Sequence, residues 1–224
     1  MDLGPYIALG VAAMLLMAGN LLFPNRAKRM QRALMAKPLA RIDRAEGAVR
    51  LTGQVHREGN LLEAPISGRP CVAYQIVIHT RAGGSPGGSI SLCLVNQQEA
   101  CPFLVKDESG IARIDTFGPF VLALPYDRTG RVSGPYPGKH RPLSLFLESM
   151  GLKATNWFGR WQRITYEEAV LEEGHVVSVG GNSAREIDAA GDSPGPRSPP
   201  ERLVLCGTEI QPLLIGDAHS NRSG

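Results

Sequence analysis

Hydrophobic and polar positions follow three different patterns along this chain, and the first pattern is the simplest. Residues 5–23 contain no charged side chain, and Asn20 is the only strongly polar residue among them. A helix of that length is about 28 Å long, because each residue adds about 1.5 Å. The hydrocarbon core of a bilayer is roughly 30 Å thick. The pattern therefore predicts that residues 1–23 form a transmembrane anchor.

Two other interpretations of this stretch fit the sequence less well. A cleaved signal peptide begins with basic residues and ends at a small-x-small site. Residues 1–4 contain no Lys or Arg, and Pro24, Asn25 and Arg26 follow the apolar run. A core helix of a globular domain would show a polar face, which this stretch lacks. No later segment is long and apolar enough to cross a bilayer, so we expect a single-pass protein.

The second pattern, in residues 24–45, places basic and apolar residues at helical spacing. Met30, Leu34 and Met35 can share one face of a helix that Pro38 should break or kink. Three interpretations stay open: the segment continues the anchor, lies in the membrane interface as an amphipathic helix, or is a solvated basic linker. The residues expected at the membrane surface are Arg26, Lys28, Arg29 and Arg32.

The distribution of charge supports a position beside a membrane. Residues 24–50 carry eight basic and two acidic side chains, although the whole chain has a formal charge of only +3. Basic flanks stay on the cytoplasmic side and attract anionic lipid headgroups. We therefore expect the cell membrane as the location, with the N-terminus outside and the larger C-terminal part in the cytoplasm. Nucleic-acid binding is not expected, because it needs a basic face on the folded domain.

From Glu46 onward the pattern has a period of two, which is typical of strands. Residues 71–79 predict a long central strand, with Val72, Tyr74 and Ile76 on one side. Many short strands separated by turns favour a mainly β fold, a small antiparallel barrel or sandwich. The missing alternation of strands and helices argues against a parallel sheet. Further strands are predicted in residues 48–55, 89–95, 102–106, 111–115, 120–124, 161–171, 175–179, 202–205 and 211–215.

The rest of the β-rich region completes the predicted organisation. Residues 142–152 carry apolar side chains at the spacing of one short amphipathic helix. Residues 126–141 predict a long irregular excursion, and the Pro-rich residues 190–200 predict a disordered insertion. The expected order is the anchor (1–23), a basic juxtamembrane segment (24–45), a β domain (46–216) and a tail (217–224).

No catalytic, metal or cofactor site is predicted. The cysteines have no close pairs and are expected to be reduced and buried. Residues 83–87 match G-x-S-x-G, but they lie between two predicted strands rather than before a helix. Cys71 and His79 would be about 26 Å apart along one strand, although a cysteine nucleophile served by a distant His stays open. The four cysteines are Cys71, Cys93, Cys101 and Cys206.

Two groups of residues are candidates for a partner surface. One is acidic and surrounds the turn after residue 171, where acid–base chemistry, cation binding and a solvated strand end are the alternatives. The other combines two Trp rings with an Arg, a composition typical of interface anchors; packing within a loop and a position at headgroup level are its alternatives. The candidate residues are Trp157, Arg160, Trp161, Glu167 and Glu168.

Three segments, taken together, resemble a known family. They are APISGRPCVAY (residues 64–74), FLVKDESG (103–110) and YEEAVLEEGHVVSVG (166–180). In this order and spacing they resemble the GIDE-type, or beside-a-membrane (BAM), domain of MULAN-type membrane E3 ubiquitin ligases and bacterial relatives. The resemblance covers roughly residues 46–216. It implies a domain next to a membrane that binds or senses partners there.

The resemblance does not extend to ubiquitin transfer. The ligases of that family carry two membrane spans and a C-terminal RING finger, which needs eight Cys or His ligands in close pairs. This chain has one predicted span and no C-x-x-C. We therefore expect a non-catalytic, membrane-tethered domain that binds a protein partner. The alternatives are the substrate-recognition part of an E3-ligase-like system, with the chemistry on another chain, and a module that binds a lipid headgroup or small ligand.

Overall fold

A computed structural model describes residues 26–85, 88–132, 141–152, 163–187 and 201–218 of the chain. The helices in these ranges are α1 (Arg26–Met35) and α2 (Arg141–Ser149), and a 3₁₀ turn covers Ile42–Arg44. The strands are β1 (Ala48–Arg57), β2 (Leu62–Glu63), β3 (Pro70–Cys71), β4 (Ala73–Ser85), β5 (Gly88–Ala100), β6 (Phe103–Asp107), β7 (Gly110–Asp115), β8 (Phe120–Ala123), β9 (Arg128–Val132), β10 (Ile164–Leu171), β11 (Val176–Ile187), β12 (Glu201–Cys206) and β13 (Leu213–Asp217).

Five of the strands close into a small barrel. β1 pairs with β6, β6 with β7, β7 with β12, β12 with β11, and β11 returns to β1. Only the β7–β12 pair of this ring is parallel. The order, with the third and fifth ring strands side by side, is the connectivity of an OB-type Greek-key barrel. β13 and β8 extend the sheet beside β11.

The barrel is filled by alternate side chains of its strands. Leu51, Val55, Phe103 and Val105 are all fully buried and belong to one apolar cluster. Successive side chains of a strand point to opposite faces, so the period-two pattern places one apolar set inside. Gly53 interrupts this pattern in β1 because a side chain there would collide with the backbone of Lys106.

The second sheet is antiparallel throughout, in the order β5-β4-β10-β9. Its central strand β4 is the long strand that the sequence predicted. One face of the sheet carries Tyr74, Ile76 and Ile78, and α2 packs Leu143 and Leu147 against that face. The ends of β4 and β10 contribute side chains to the barrel cluster instead. The two sheets therefore share one continuous body.

The predicted mainly β fold is confirmed, and of the two predicted alternatives the structure contains the small barrel rather than a sandwich, with three corrections. Cys71 packs in the cluster of the second sheet whereas Val72 packs in the barrel cluster, because the pairing is interrupted between β3 and β4. The predicted excursion contains β9, whose Gly130 lies against the ring of Tyr166 and gives no apolar alternation. The barrel sheet was predicted to be antiparallel, but its pairs β7–β12 and β8–β13 are parallel.

The described residues contain no helix that is both long and apolar enough to cross a membrane. The predicted span in residues 5–23 lies outside the described ranges and stays a prediction. The same holds for the predicted insertion in residues 190–200 and for most of the predicted tail.

Candidate functional site: a docked basic helix and a cleft between the sheets

Helix α1 docks on the outside of the barrel through Leu34. This side chain is fully buried, and its methyl groups lie over Gly180 of β11 and Gly216 of β13. A Cβ atom at Gly180 would be 2.7 Å from Leu34 Cδ1, and one at Gly216 would be 2.9 Å from Leu34 Cδ2. The two glycines, one on the barrel strand β11 and one on the adjoining strand β13, therefore form a notch that receives the helix.

The docking contact argues against two of the three interpretations of the basic segment, whereas continuation of the predicted anchor falls on residues outside the described ranges and stays a prediction. Met30 and Met35 are half-buried with Leu34, whereas Arg29 and Arg32 are exposed. The apolar face that was predicted to enter a membrane interface therefore packs against the folded domain. For the same reason, the helix is not a solvated linker. α1 ends at Met35, shortly before Pro38, as expected.

The residues after α1 continue into the barrel. Pro38 and Ala40 exchange backbone hydrogen bonds with Arg50 of β1, at 2.8 and 2.9 Å. Ile42 and Ala45 are buried and join the barrel cluster. The folded body therefore extends N-terminally of residue 46, through the segment that was predicted to be juxtamembrane.

Asp107 holds this N-terminal segment against the turn between β6 and β7. Its carboxylate accepts hydrogen bonds from the Ile42 amide at 3.2 Å, from the amide and hydroxyl of Ser109, both at 2.6 Å, and from the Gly110 amide at 3.0 Å. Burial alone would raise the pKa of Asp107, but these hydrogen bonds hold it below its usual value.

A second feature is a cleft of about 290 Å³ between the second sheet and the barrel, which we call the seam cleft. Four of the residues that line it, Leu124, Val170, Leu171 and Val177, are apolar and buried. Pro125 and the 42% exposed Val176 also line it. Its polar lining residues are Asp127, His175 and Asp217.

Arg69 pairs with one of these lining residues, Asp127. Its guanidinium donates to Asp127 and lies 3.0 Å from Glu172 Oε1. Burial alone would lower the pKa of Arg69, but the hydrogen bond to Asp127 and the charges of Asp127, Glu172 and Glu168 raise it. Arg69 is therefore shared by two carboxylates beside the seam cleft.

Glu168 does not lie on a partner surface, contrary to the sequence prediction. It is fully buried, and its carboxylate accepts the Ile66 amide at 2.8 Å and the Ser67 amide at 3.1 Å. These bonds fix the turn between β2 and β3. Glu167, the next residue, is half-buried on the opposite face of β10. Trp157, Arg160 and Trp161 lie outside the described residues.

The residues singled out for chemistry are placed in structural roles. Burial, with the nearby Cys101 and Glu168, raises the pKa of Cys71 to about 12, so this thiol stays protonated near neutral pH. Ser85 of the G-x-S-x-G match pairs with Gly88 in the β4–β5 hairpin instead of preceding a helix. In the part of the chain that the structure describes, no three His, Cys, Asp or Glu side chains are grouped as metal ligands.

The sequence did not reveal the seam cleft. Its lining residues come from four separate segments, and Arg69 was visible only as a residue in a Pro- and Gly-containing turn. The notch for Leu34 was also missed, because Gly180 and Gly216 resemble ordinary interruptions of two strands.

Compared with protein-family models, with curated proteins and with solved structures, the chain matches none. The resemblance to the GIDE-type domain therefore depends on the three sequence segments alone and stays a prediction.

Proposed function

We propose that this protein is a membrane-tethered, non-catalytic interaction domain whose partner is a protein close to the membrane. The observation that carries the proposal is the docking of α1. This basic helix follows the apolar stretch after only Pro24 and Asn25, and Leu34 fixes it to the barrel. If residues 5–23 span a bilayer, the barrel is held at the membrane surface. That placement raises its effective concentration for partners in the same membrane.

The outer side of α1 suits the surface of an anionic leaflet. Arg29 and Arg32 are exposed there, and α1 also contains Arg26 and Lys28. Basic residues near such a surface each contribute about 1 kcal/mol of attraction. Because basic flanks remain on the cytoplasmic side, we propose that the N-terminus faces outward and the barrel faces the cytoplasm.

The role of the domain is proposed to be binding rather than catalysis. Its buried carboxylate, Glu168, is used by a turn, and its most buried thiol, Cys71, stays protonated. Neither observation favours a reaction. The ligase-like alternative has no specific observation in its favour, and a zinc assay on the purified protein tests it directly. Stoichiometric zinc would support a RING-like activity and contradict the binding-only proposal.

Extraction of isolated membranes at alkaline pH tests the tether. The full-length protein should stay in the membrane pellet after a carbonate wash, whereas a peripheral membrane protein in the same sample should be released. Release of the full-length protein into the supernatant would contradict the proposal.

Crosslinking in native membranes tests whether the domain selects the partner. We would compare the wild type with a variant whose residues 1–23 are replaced by an unrelated span and with one that lacks them. The same partner should be captured with either span and lost without one. Capture that depends on the native span alone would show that the anchor, and not the folded domain, recognises the partner.

A further inference from the structure

We propose that the open edge of β8 binds an extended segment of the partner protein as an additional β-strand. The site is a cleft of about 360 Å³, which we call the edge cleft. This inference deepens the proposed function, because it rests on the domain being an interaction module. None of the lining residues was a candidate in the sequence. They are Asn96 and Gln98 of β5, and Gly118, Pro119 and Phe120 where β8 begins.

The backbone of β8 presents hydrogen-bonding groups to the edge cleft. β8 pairs with β13 on one side, and no described strand pairs with it on the other. The Pro119 carbonyl accepts the Leu213 amide at 2.9 Å, so alternate residues from Pro119 onward face β13. Phe120 and Leu122 therefore face away from β13. The Leu122 amide has this direction, because it donates to Gln98 Oε1 of β5 at 2.9 Å.

The facing edge of β5 is also open. β5 is an outermost strand of the second sheet, and β4 is its one neighbour among the described strands. The Cys101 amide donates to the Val72 carbonyl, whereas the Ala100 carbonyl accepts the Thr116 hydroxyl at 3.2 Å. Successive residues of a strand direct their backbone groups to opposite sides. The backbone groups of Ala100, and of Gln98 two residues earlier, therefore point away from β4.

The two edges are joined by a side chain instead of by backbone pairing. Directly paired strands lie about 4.8 Å apart, and β5 and β8 form no ladder in the described part of the chain. The side chain of Gln98 spans the separation at Leu122. Among the described residues, none makes the equivalent bond to Phe120. An extended peptide would supply both a donor and an acceptor there, which is how sheet edges recognise peptides.

The lining of the edge cleft favours an uncharged segment with an apolar side chain. None of the five lining residues is charged. Phe117, which precedes Gly118, is 82% exposed. Its amide donates to Asp115 Oδ1 at 3.1 Å, and a Cβ atom at Gly118 would be 2.9 Å from the carbonyl oxygen of Gly207. The loop is therefore tightly packed, and it presents an apolar ring that suits a cross-strand contact with the added segment.

A peptide titration followed by amide NMR of the full-length protein in detergent micelles tests the proposal. The probe is acetyl-Thr-Val-Thr-Val-Thr-amide, an uncharged peptide of residues that favour strands. It should shift the amide signals of Asn96, Gln98, Phe120 and Leu122 to saturation. The same peptide with every backbone nitrogen methylated should bind about tenfold more weakly, because it cannot donate hydrogen bonds to the strand edge.

Variants at exposed positions locate the binding site. Asn96→Lys places a charge at the β5 edge, a device that blocks strand pairing, and should weaken binding about tenfold. Ser91→Lys is the matched control on the same strand outside the cleft, and it should leave binding unchanged. Phe117→Ala should weaken binding about threefold through the lost cross-strand contact. Ile210→Ala, which removes a 92% exposed side chain from the neighbouring loop, should have no effect.

Four results would each overturn the proposal. They are equal affinity of the methylated probe, equal affinities of the Asn96→Lys and Ser91→Lys proteins, shifts confined to residues outside the edge cleft, and no shift at millimolar probe. Binding should also be nearly independent of salt, because no charged residue lines the cleft. The titration needs neither a bilayer nor the partner. Its failure would therefore leave the membrane tether intact, and release by carbonate would leave binding in the edge cleft unaffected.

Discussion

The barrel and the four-stranded sheet differ in whether their outermost strands are paired. Ring closure pairs all five barrel strands on both sides, and α1 docks at Gly180 of the ring strand β11 and at Gly216 of the adjoining strand β13. The second sheet keeps two edge strands, β5 and β9, and α2 covers one of its faces. Open edges invite unwanted pairing, and closure removes them. The comparison shows two ways of covering a small β fold: ring closure leaves no open edge among the five barrel strands, whereas the second sheet depends on a helix packed on its face.

The first way to test this comparison is to open a cavity in each core. Phe103→Ala in the barrel should lower the free energy of unfolding by about 3–5 kcal/mol, and Ile76→Ala in the second sheet by about 2–4 kcal/mol. Both side chains are fully buried. Because β4 and β10 also enter the barrel cluster, each variant should shift one common transition in denaturant, followed by fluorescence and circular dichroism. Two separate transitions would show that the sheets unfold independently.

The second test removes the docking contact of α1. Leu34→Ala should lower the free energy of unfolding by about 2–4 kcal/mol, because it empties the notch at Gly180 and Gly216. It should also speed proteolysis after Arg29 and Arg32. The control is Ala33→Ser on the exposed side of the same helix, which should cost about 0.5 kcal/mol through helix propensity alone. Equal proteolysis of the two variants would mean that Leu34 does not hold the helix.

A third test compares two neighbouring glutamates of the second sheet. Glu168→Ala should lower the free energy of unfolding by about 2–3 kcal/mol, because the amides of Ile66 and Ser67 lose their buried acceptor. Glu167→Ala removes the adjacent, half-buried carboxylate and should change stability by about 0.5 kcal/mol or less. Chemical denaturation measures both. Similar losses would contradict the assigned role of Glu168 in fixing the β2–β3 turn.

The fourth test is the pH dependence of the N-terminal contact with the barrel. The pKa of Asp107 is lowered by folding, so the unfolded chain binds this proton more tightly. The resulting stabilisation is present above the unfolded pKa of about 3.9 and is lost as the pH falls through the lower, folded pKa. Asp107→Asn should cost about 1–2 kcal/mol at neutral pH and flatten the acid side of the stability profile.

The matched control for this fourth test is Glu108→Gln, which changes an exposed carboxylate of the same turn. It should leave both the stability and its pH dependence nearly unchanged. An acid profile that stays as steep in Asp107→Asn as in the wild type would assign the pH dependence to other groups.

The smallest change in the free energy of unfolding is expected from the ion pairs of Glu58 on the outer wall of the barrel. Glu58 accepts from Arg113 at 2.8 Å and from Arg202 at 3.2 Å, and all three side chains are partly exposed. Glu58→Gln should therefore cost about 1 kcal/mol or less, and less still at high salt. A loss as large as that of Leu34→Ala would show that this network, rather than the docked helix, governs the stability of the barrel wall.

Local structure followed from the sequence wherever neighbouring residues were enough to specify it. The period of two placed the strands because successive side chains of a strand point to opposite faces. The Gly-ended turn in residues 107–110 and the end of α1 before Pro38 were found where the sequence predicted them. β9 was missed because its Gly130 packs against Tyr166 of the neighbouring strand, a contact that no local pattern records.

Contacts between distant residues were settled by folding alone. Alternation shows which residues share a face, but it does not show which strands become neighbours, so the ring closure and the parallel β7–β12 pair could not be inferred. Glu168 and the turn it fixes are about a hundred residues apart along the chain. Leu34 meets its two glycines only after β11 and β13 lie side by side, and the seam cleft exists only where the two sheets meet, which is why composition and spacing could not reveal either site.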